Sequence, residues 1–316
     1  MKNNIIKNTK QYMQELPIRI RPGYACINAS IKENFRNFRL ATVEKRDDEK
    51  LIDVISHNIR LLNRTIKYNI EHNIYLYRVS SDIIPFCTHP YIVELYNDRI
   101  LASEEVIKNI QEINVLNKKY NLRLSIHPGQ FNVLASPRKE VVERSIQEIN
   151  AETNLIKSLG GKDVILHVGG SYGDKESAIK RFTENIKYVD TSCLIVENDD
   201  KVYSAEDIYK LCEVEKLNWV FDYHHHKCKL SEEYTIENML KSYPPIKYHL
   251  STGATGSTDR SHAEYISKTD FIALRELLIK ANIKEADIMF EAKKKNDSIT
   301  AILEPVENGY WVLKEV

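Results

Sequence analysis

Residues 193–225, CLIVENDDKVYSAEDIYKLCEVEKLNWVFDYHH, begin and end in short apolar, β-rich runs, CLIVEN (193–198) and NWVFDYHH (218–225). Both runs close on side chains able to hold a metal ion. The same design recurs along the chain, in IRIRPGYACI (18–27), IYLYRVS (74–80), LRLSIHP (122–128), DVILHVG (163–169), IKYHLST (246–252) and DIMFEAK (287–293). Between the runs, apolar residues recur at three- and four-residue spacing, as in LIDVISHNIRLLNRTIKYNI (51–70) and VVERSIQEINAETNLIKSL (141–159), which predicts amphipathic helices. Near-continuous apolar strands separated by crossover helices imply a parallel sheet covered on both faces. Eight such units predict a closed (β/α)8 TIM barrel, α/β in class, over residues 18–316, preceded by a loose polar arm over 1–17. An open doubly wound sheet is the alternative, but no strand is followed by a GxGxxG or P-loop motif.

Composition bounds the reading. The 316 residues hold 42% hydrophobic and 28% charged residues with only 10 glycines and 9 prolines, a globular profile. No apolar run is long enough for a membrane span or a secretory h-region, so an intracellular protein, cytoplasmic or nuclear, is expected. The five cysteines are odd in number and lack CxxC spacing, which argues against a disulfide framework or a zinc ribbon. Lys plus Arg equals Asp plus Glu at 45 each, so bulk charge does not grip nucleic acid; local patches or bound cations would have to supply the positive field.

Potential ligands fall at the strand ends. His127 ends the third run, His167 the fourth, Glu197 the fifth, Asp222 and His225 the sixth, His249 the seventh and Glu291 the eighth. In a parallel barrel these ends open on one face, where active sites are built, and His262 in the loop after the seventh strand can join them. Imidazole with carboxylate suits zinc, manganese or iron, and two or three such ions about 3.5 to 4 Å apart form a phosphate-hydrolysis site. With no serine or cysteine nucleophile motif, an activated water is the economical nucleophile. Taken singly, each histidine also reads as a hydrogen-bonded strand-end residue, HHH as a polar turn and Asp222 as a helix cap. His57, His72 and His89 fall outside the pattern and read as surface or packing residues.

The ordered motifs GYACIN (23–28), SIHPGQFNVLASP (125–137), LHVGGSYGDK (166–175), VEND (196–199), FDYHHH (221–226), KYHLS (247–251), RSHAEY (260–265) and MFEAKKK (289–295) resemble the UV-damage endonuclease family. The resemblance spans roughly residues 18–298 and implies a TIM barrel related to endonuclease IV and the xylose isomerases. It implies a cluster of about three divalent ions, manganese first with zinc as the alternative. The implied reaction is hydrolysis of the phosphodiester 5′ to a pyrimidine photoproduct in double-stranded DNA, initiating excision repair. The implied ligands are His127, His167, Glu197, Asp222, His225, His249, His262 and Glu291. Glu197 is expected to bridge, with Asp222, His249 and Glu291 on one ion, His127 and His167 on a second, and His225 with His262 on the third. Lys247 matches a family lysine that can be carboxylated beside the metals. Gln130 and Phe131 match a pair that probes the lesion, and Tyr24 and Asn28 match further lesion-side residues. Phe131 departs from the family's usual tyrosine, which keeps stacking but removes a hydroxyl. Basic residues near the same loops, including Arg36, Lys227, Arg260 and Lys293, are candidate phosphate contacts. A monomer is expected, because one chain carries a full ligand set. Three rivals stand beside this reading. They are a sugar isomerase on the same barrel, an abasic-site endonuclease of the endonuclease IV kind, and a DNA-binding scaffold that does not cut. Five histidines to three carboxylates favour hydrolysis over isomerisation, and HPGQF favours the photoproduct.

Overall fold

The computed structural model describes residues 16–314, so the expected arm lies almost wholly outside the described residues. Eight parallel strands alternate with helices: β1 (Arg19–Ala25), α1 (Asp48–Glu71), β2 (Leu76–Val79), α2 (Glu104–Tyr120), β3 (Arg123–Ile126), α3 (Lys139–Ser158), β4 (Asp163–His167) and α4 (Lys175–Asn185). The chain continues through β5 (Leu194–Glu197), α5 (Ala205–Glu215), β6 (Asn218–Asp222), α6 (Tyr223–Cys228), α7 (Ile236–Ser242), β7 (Lys247–Leu250), α8 (Lys268–Lys280), β8 (Glu285–Phe290) and α9 (Lys295–Ile302). β1 pairs in parallel with both β8 and β2, which closes a TIM barrel. A terminal hairpin, β9 (Leu303–Pro305) and β10 (Trp311–Leu313), lies antiparallel to the lower half of β1 through Ile20 and Trp311.

Strand parity sorts the side chains into two compartments. Outward residues such as Ile20, Tyr77, Leu124, Val164, Val196, Trp219, Tyr248 and Ile288 join the large core shared with the helices. Inward residues form only two small apolar clusters, Ala25 with Leu76 and Met289, and Ile165 with Ile195 and Val220. The rest of the interior is polar. At the amino-terminal end of the strands, Arg21 grips Asp287 through two hydrogen bonds of 2.6 and 2.8 Å. Arg123 joins Asp163 at 2.6 Å and the same Asp287 at 2.9 Å. Each buried charge in this layer has an opposite partner, the condition under which burying charge is tolerable.

The strands stop earlier than the apolar runs suggest. Where NWVFDYHH reads as strand to residue 225, the structure turns helical at Tyr223, because Asp222 caps the new helix: its Oδ1 accepts the backbone N–H of His225 at 2.7 Å. The histidine-rich segment is therefore one short helix rather than a strand end.

Candidate metal centre at the strand ends

Barrel parity places His127, His167, Glu197, Asp222, His249 and Glu291 at the ends of successive strands β3 to β8, and α6 returns His225 over the opening. Glu197 lies at the centre. One carboxylate oxygen, Oε2, faces His127 Nε2 at 3.4 Å and His167 Nε2 at 3.8 Å. The other, Oε1, faces His249 Nδ1 at 2.8 Å and His225 Nδ1 at 3.7 Å. His249 Nδ1 also lies 3.2 Å from Glu291 Oε1, and His225 Nδ1 3.7 Å from Asp222 Oδ2.

Three trios of ligand atoms result, each within 4.8 Å: His127–His167–Glu197, Glu197–His249–Glu291 and Glu197–Asp222–His225. All share Glu197. The division differs from the sequence expectation in two respects. The cap geometry that puts Asp222 and His225 on one helical turn groups Asp222 with His225, away from His249 and Glu291. His262 enters none of the trios. It is held in a loop folded back on β7, where Gly253 pairs with His262 across an isolated bridge. A side chain at Gly253 would meet the carbonyl of Gly256 at 2.0 Å, so the loop needs glycine there. From that loop His262 lies close enough to Glu291 and His225 to feel both charges, while burial lowers its pKa.

The polar accounts of this site do not close within the protein. Glu197 Oε2, Asp222 Oδ2, His249 Nε2 and His167 Nδ1 are buried and lack a hydrogen-bond partner. Buried polar atoms are normally paired, and an orphaned carboxylate oxygen is costly. The donor set, three carboxylates among imidazoles with atoms left open, fits divalent cations.

The electrostatics agree. Burial raises the pKa of Glu197 and Glu291, but the charges of His249 and His167 on the first, and of Arg78 and His249 on the second, hold both well below the usual carboxylate range. For Asp222 burial wins, raising it to about 6 despite His225. Burial lowers His225, yet Asp222, Glu197 and Glu291 outweigh it and raise the imidazole to about 9.

Two residues that the sequence reading overlooked support this site. Asn198, directly after Glu197, is fully buried and clamps β5 to β6: its side chain donates to the Asp222 carbonyl at 3.0 Å and accepts the Asp222 N–H at 2.8 Å. Its own carbonyl lies 2.9 Å from His225 Nδ1. Arg78, inward on β2, reaches Glu291 Oε1 at 2.5 Å. An arginine with the same parity as the inward Leu76, inside an apolar strand, was a readable signal.

The cluster floors an open cavity of about 520 Å3 lined by Arg78, His127, Gln130, His167, Glu197 and His225, among others. Gln130 and Phe131 stand exposed on the loop after β3, Phe131 with 82% of its surface free. That loop is braced from β4: Gly169 has φ +105°, and a Cβ there would meet Val133 Cγ1 at 2.4 Å. Tyr24 and Asn28, read from the resemblance as lesion contacts, are instead buried. Tyr24 points outward from β1 and donates to Asn69 on α1 at 2.6 Å, Asn28 donates to Tyr24 at 2.7 Å, and Asn28 Oδ1 receives the N–H groups of Ser30 and Ile31. Their polar groups are consumed in holding the β1 loop.

Lys247 is fully buried, and its Nζ donates to Ser125 at 2.7 Å, one layer below the trios. Burial is the main cause that lowers its pKa to about 7. Several basic candidates are already paired: Arg36 with Asp53, Lys227 with Asp270 and Arg260 with Asp200. The three outlying histidines have structural jobs: His57 reaches the Asn34 carbonyl, His72 stacks on Tyr68, and His89 caps the short helix Pro90–Leu95.

The profile of the family UV-endonuclease UvdE matches residues 20–311. The chain belongs to this family. A UV DNA damage endonuclease of Bacillus cereus (strain B4264) is 35% identical over 284 residues, covering 85% of this chain and 87% of its own. One from Bacillus thuringiensis subsp. konkukian (strain 97-27) is 37% identical over 276 residues, covering 83% and 84%. Among solved structures, SacUVDE superposes with a TM-score of 0.75 at 28% identity, over 88% of this chain and 95% of that one. Endonuclease IV from Thermus thermophilus, at 14% identity and a TM-score of 0.58 over 89% and 95% of the two chains, shares the fold. Among the described residues no helix is long and apolar enough to cross a membrane.

Proposed function

We propose that this chain is a metal-dependent endonuclease that hydrolyses the phosphodiester 5′ to pyrimidine photoproducts in duplex DNA, using about three divalent ions. The observation that carries the reading is the sharing of one buried carboxylate, Glu197, by three trios, with Glu197 Oε2, Asp222 Oδ2 and one ring nitrogen each of His167 and His249 left without a protein partner. A bridging carboxylate with imidazoles and further carboxylates around it is the arrangement of a multinuclear phosphate-hydrolysis site. His127 and His167 hold one ion with Glu197, His249 and Glu291 a second, and Asp222 and His225 a third, with His262 closing over the cluster as the eighth donor. Manganese is the preferred occupant and zinc the alternative. Ions bound there would supply an activated water and neutralise charge on the phosphate.

The rest of the task falls to side chains around the cavity. Gln130 and Phe131 project from its rim and are suited to fill the gap in the duplex when a lesion is turned out, Phe131 by stacking. Tyr24 and Asn28 act indirectly, by fixing the β1 loop. Lys247 supports the cluster from below. Its burial favours the neutral amine that carboxylation requires, and the role implied by the resemblance is retained for it on that ground. The protein acts as a monomer.

The test is incubation of purified protein, with Mn2+ or after EDTA treatment, with duplexes carrying one pyrimidine dimer, one abasic site or no lesion. The expected result is Mn2+-dependent nicking immediately 5′ to the dimer. Cutting confined to the abasic site would transfer the chain to the endonuclease IV activity, and no cutting of any duplex by metal-loaded protein would overturn the nuclease reading.

A further inference from the structure

Arg78 is a cation placed where cations are expected to bind. Its guanidinium reaches Glu291, a member of the Glu197–His249–Glu291 trio, and it lines the same cavity as His127, His167, Glu197 and His225. An ion in that trio would compete with Arg78 for Glu291 and repel it. If Arg78 served only as the counter-charge of Glu291, it would weaken the site it adjoins. An anion that binds to the ions and the guanidinium together offsets that cost. Arg78 has the donors for this: the hydrogen bond to Glu291 is the only one its side chain makes to the described residues, and none of its nitrogens is among the buried unpaired atoms. Its remaining N–H groups therefore open on the cavity. A guanidinium fork matches the oxygens of a phosphate, and its charge is permanent.

We infer that Arg78 is a substrate-binding residue whose guanidinium holds a non-bridging oxygen of the phosphodiester that is cut, while keeping its bond to Glu291. The inference rests on the proposed function and assigns that site a phosphate contact from β2, a strand that contributes none of the trio ligands.

The experiment compares wild type, Arg78→Gln and Arg78→Lys, using inorganic phosphate as the probe. Mn2+ uptake per chain is measured by elemental analysis, and phosphate binding to the Mn2+-loaded proteins by calorimetry. Arg78→Gln is expected to take up as much Mn2+ as wild type and to bind phosphate about 10- to 100-fold more weakly, the worth of one charge-assisted hydrogen bond. Arg78→Lys, which keeps the charge without the fork, is expected to fold normally and lose roughly three- to tenfold. It decides the matter if the glutamine variant does not fold. Reduced Mn2+ uptake with unchanged phosphate affinity per loaded chain would make Arg78 a positioning residue for Glu291 and overturn the inference. So would phosphate affinity unchanged in Arg78→Lys. Wild type that takes up no Mn2+ and cuts no photoproduct duplex would remove the functional reading itself. Wild type that loads and cuts, beside variants that bind phosphate normally, would remove only the role of Arg78.

Discussion

Replacing Asn198 by alanine separates the scaffold of the site from its chemistry. The side chain makes two buried hydrogen bonds to the backbone of Asp222, one as donor and one as acceptor. Removing it orphans the Asp222 N–H and takes one partner from the Asp222 carbonyl, which as the helix cap keeps its first intrahelical bond, in a fully buried place. The orphaned N–H costs about 1 to 3 kcal/mol and the bond lost at the carbonyl about 1 kcal/mol, so the total is about 3 kcal/mol. For a chain of this length that corresponds to a fall in Tm of roughly 4 to 5 °C. The assay is thermal and urea denaturation in EDTA, so that bound ions add nothing to either protein. A second readout follows from geometry: Asp222 and His225 lose their clamp to β5, while the His127–His167 pair does not touch Asn198. Asn198→Ala should therefore lose part of its Mn2+ uptake, not all of it. A Tm within about 1 °C of wild type, with full uptake, would refute the assignment of Asn198 as the clamp.

Glu197→Gln should abolish nicking, by at least about 1000-fold, because all three trios lose their common charge. Lesion-duplex binding, read by gel shift, should stay within about threefold, since the lesion contacts lie on other loops; retained cutting would remove the bridging role. Phe131→Ala should leave stability within about 0.5 kcal/mol, because the ring is exposed, and weaken lesion-duplex binding by about 1 to 3 kcal/mol, the worth of one stacked base. Equal binding by both proteins would show that Phe131 does not meet DNA. Glu152 on α3 is buried, with Oε2 unpaired, and burial first, then Glu148 and Asp82, raises its pKa well above the ordinary value. Its raised pKa means that the fold favours the neutral acid, so its contribution is complete below about pH 4.3 and is lost as pH rises toward the folded value. The stability advantage of Glu152→Gln over wild type, measured in urea, should therefore grow from pH 5 to pH 8; a difference that does not change with pH would contradict the burial argument. Removing metal should lower Tm: an ion at 100 times its Kd adds about 2.7 kcal/mol, roughly 4 °C per site. Identical melting in EDTA and Mn2+ would mean that the orphaned atoms do not bind ions.

The barrel and the meeting of the strand-end His, Asp and Glu side chains were legible because both rest on short-range periodicity: an apolar strand, an amphipathic crossover, and a His, Asp or Glu where the strand stops. What escaped depends on partners distant in sequence. Arg21 and Asp287 are 266 residues apart, so the ionic layer that fills the lower barrel left no local pattern. The Asn198 clamp joins two strand ends 24 residues apart and looks locally like any polar residue after a strand. Tyr24 is a different case. Its parity matches Ile20 and Pro22, not the inward Arg21 and Ala25, and directs its side chain outward to Asn69 on α1, whereas the motif resemblance points to the lesion. The HHH segment has no period to read, and only the cap geometry of Asp222 shows that it is helical.

The two ends of the barrel interior treat buried charge in opposite ways, and the contrast explains how one end can be left unsatisfied. Arg21, Arg123, Asp163 and Asp287 pair completely, with bonds of 2.6 to 2.9 Å, and tie β1, β3, β4 and β8 across the lower opening. Removing one member strands its partners in a dry interior, so this layer resists local loosening. Roughly 13 Å of strand separates it from the candidate ligands, which lie four positions further along β3, β4 and β8 at about 3.3 Å per residue. The candidate ligands at the upper end keep four buried polar atoms unpaired, a state that a flexible mouth would relieve by rearranging or admitting water. The strand ends cannot rearrange cheaply while the layer below holds their register, and Asn198 holds β5 against β6 at the level of the ligands. The unmet hydrogen-bonding capacity is thereby kept in a fixed geometry, available to ions rather than lost to collapse of the site.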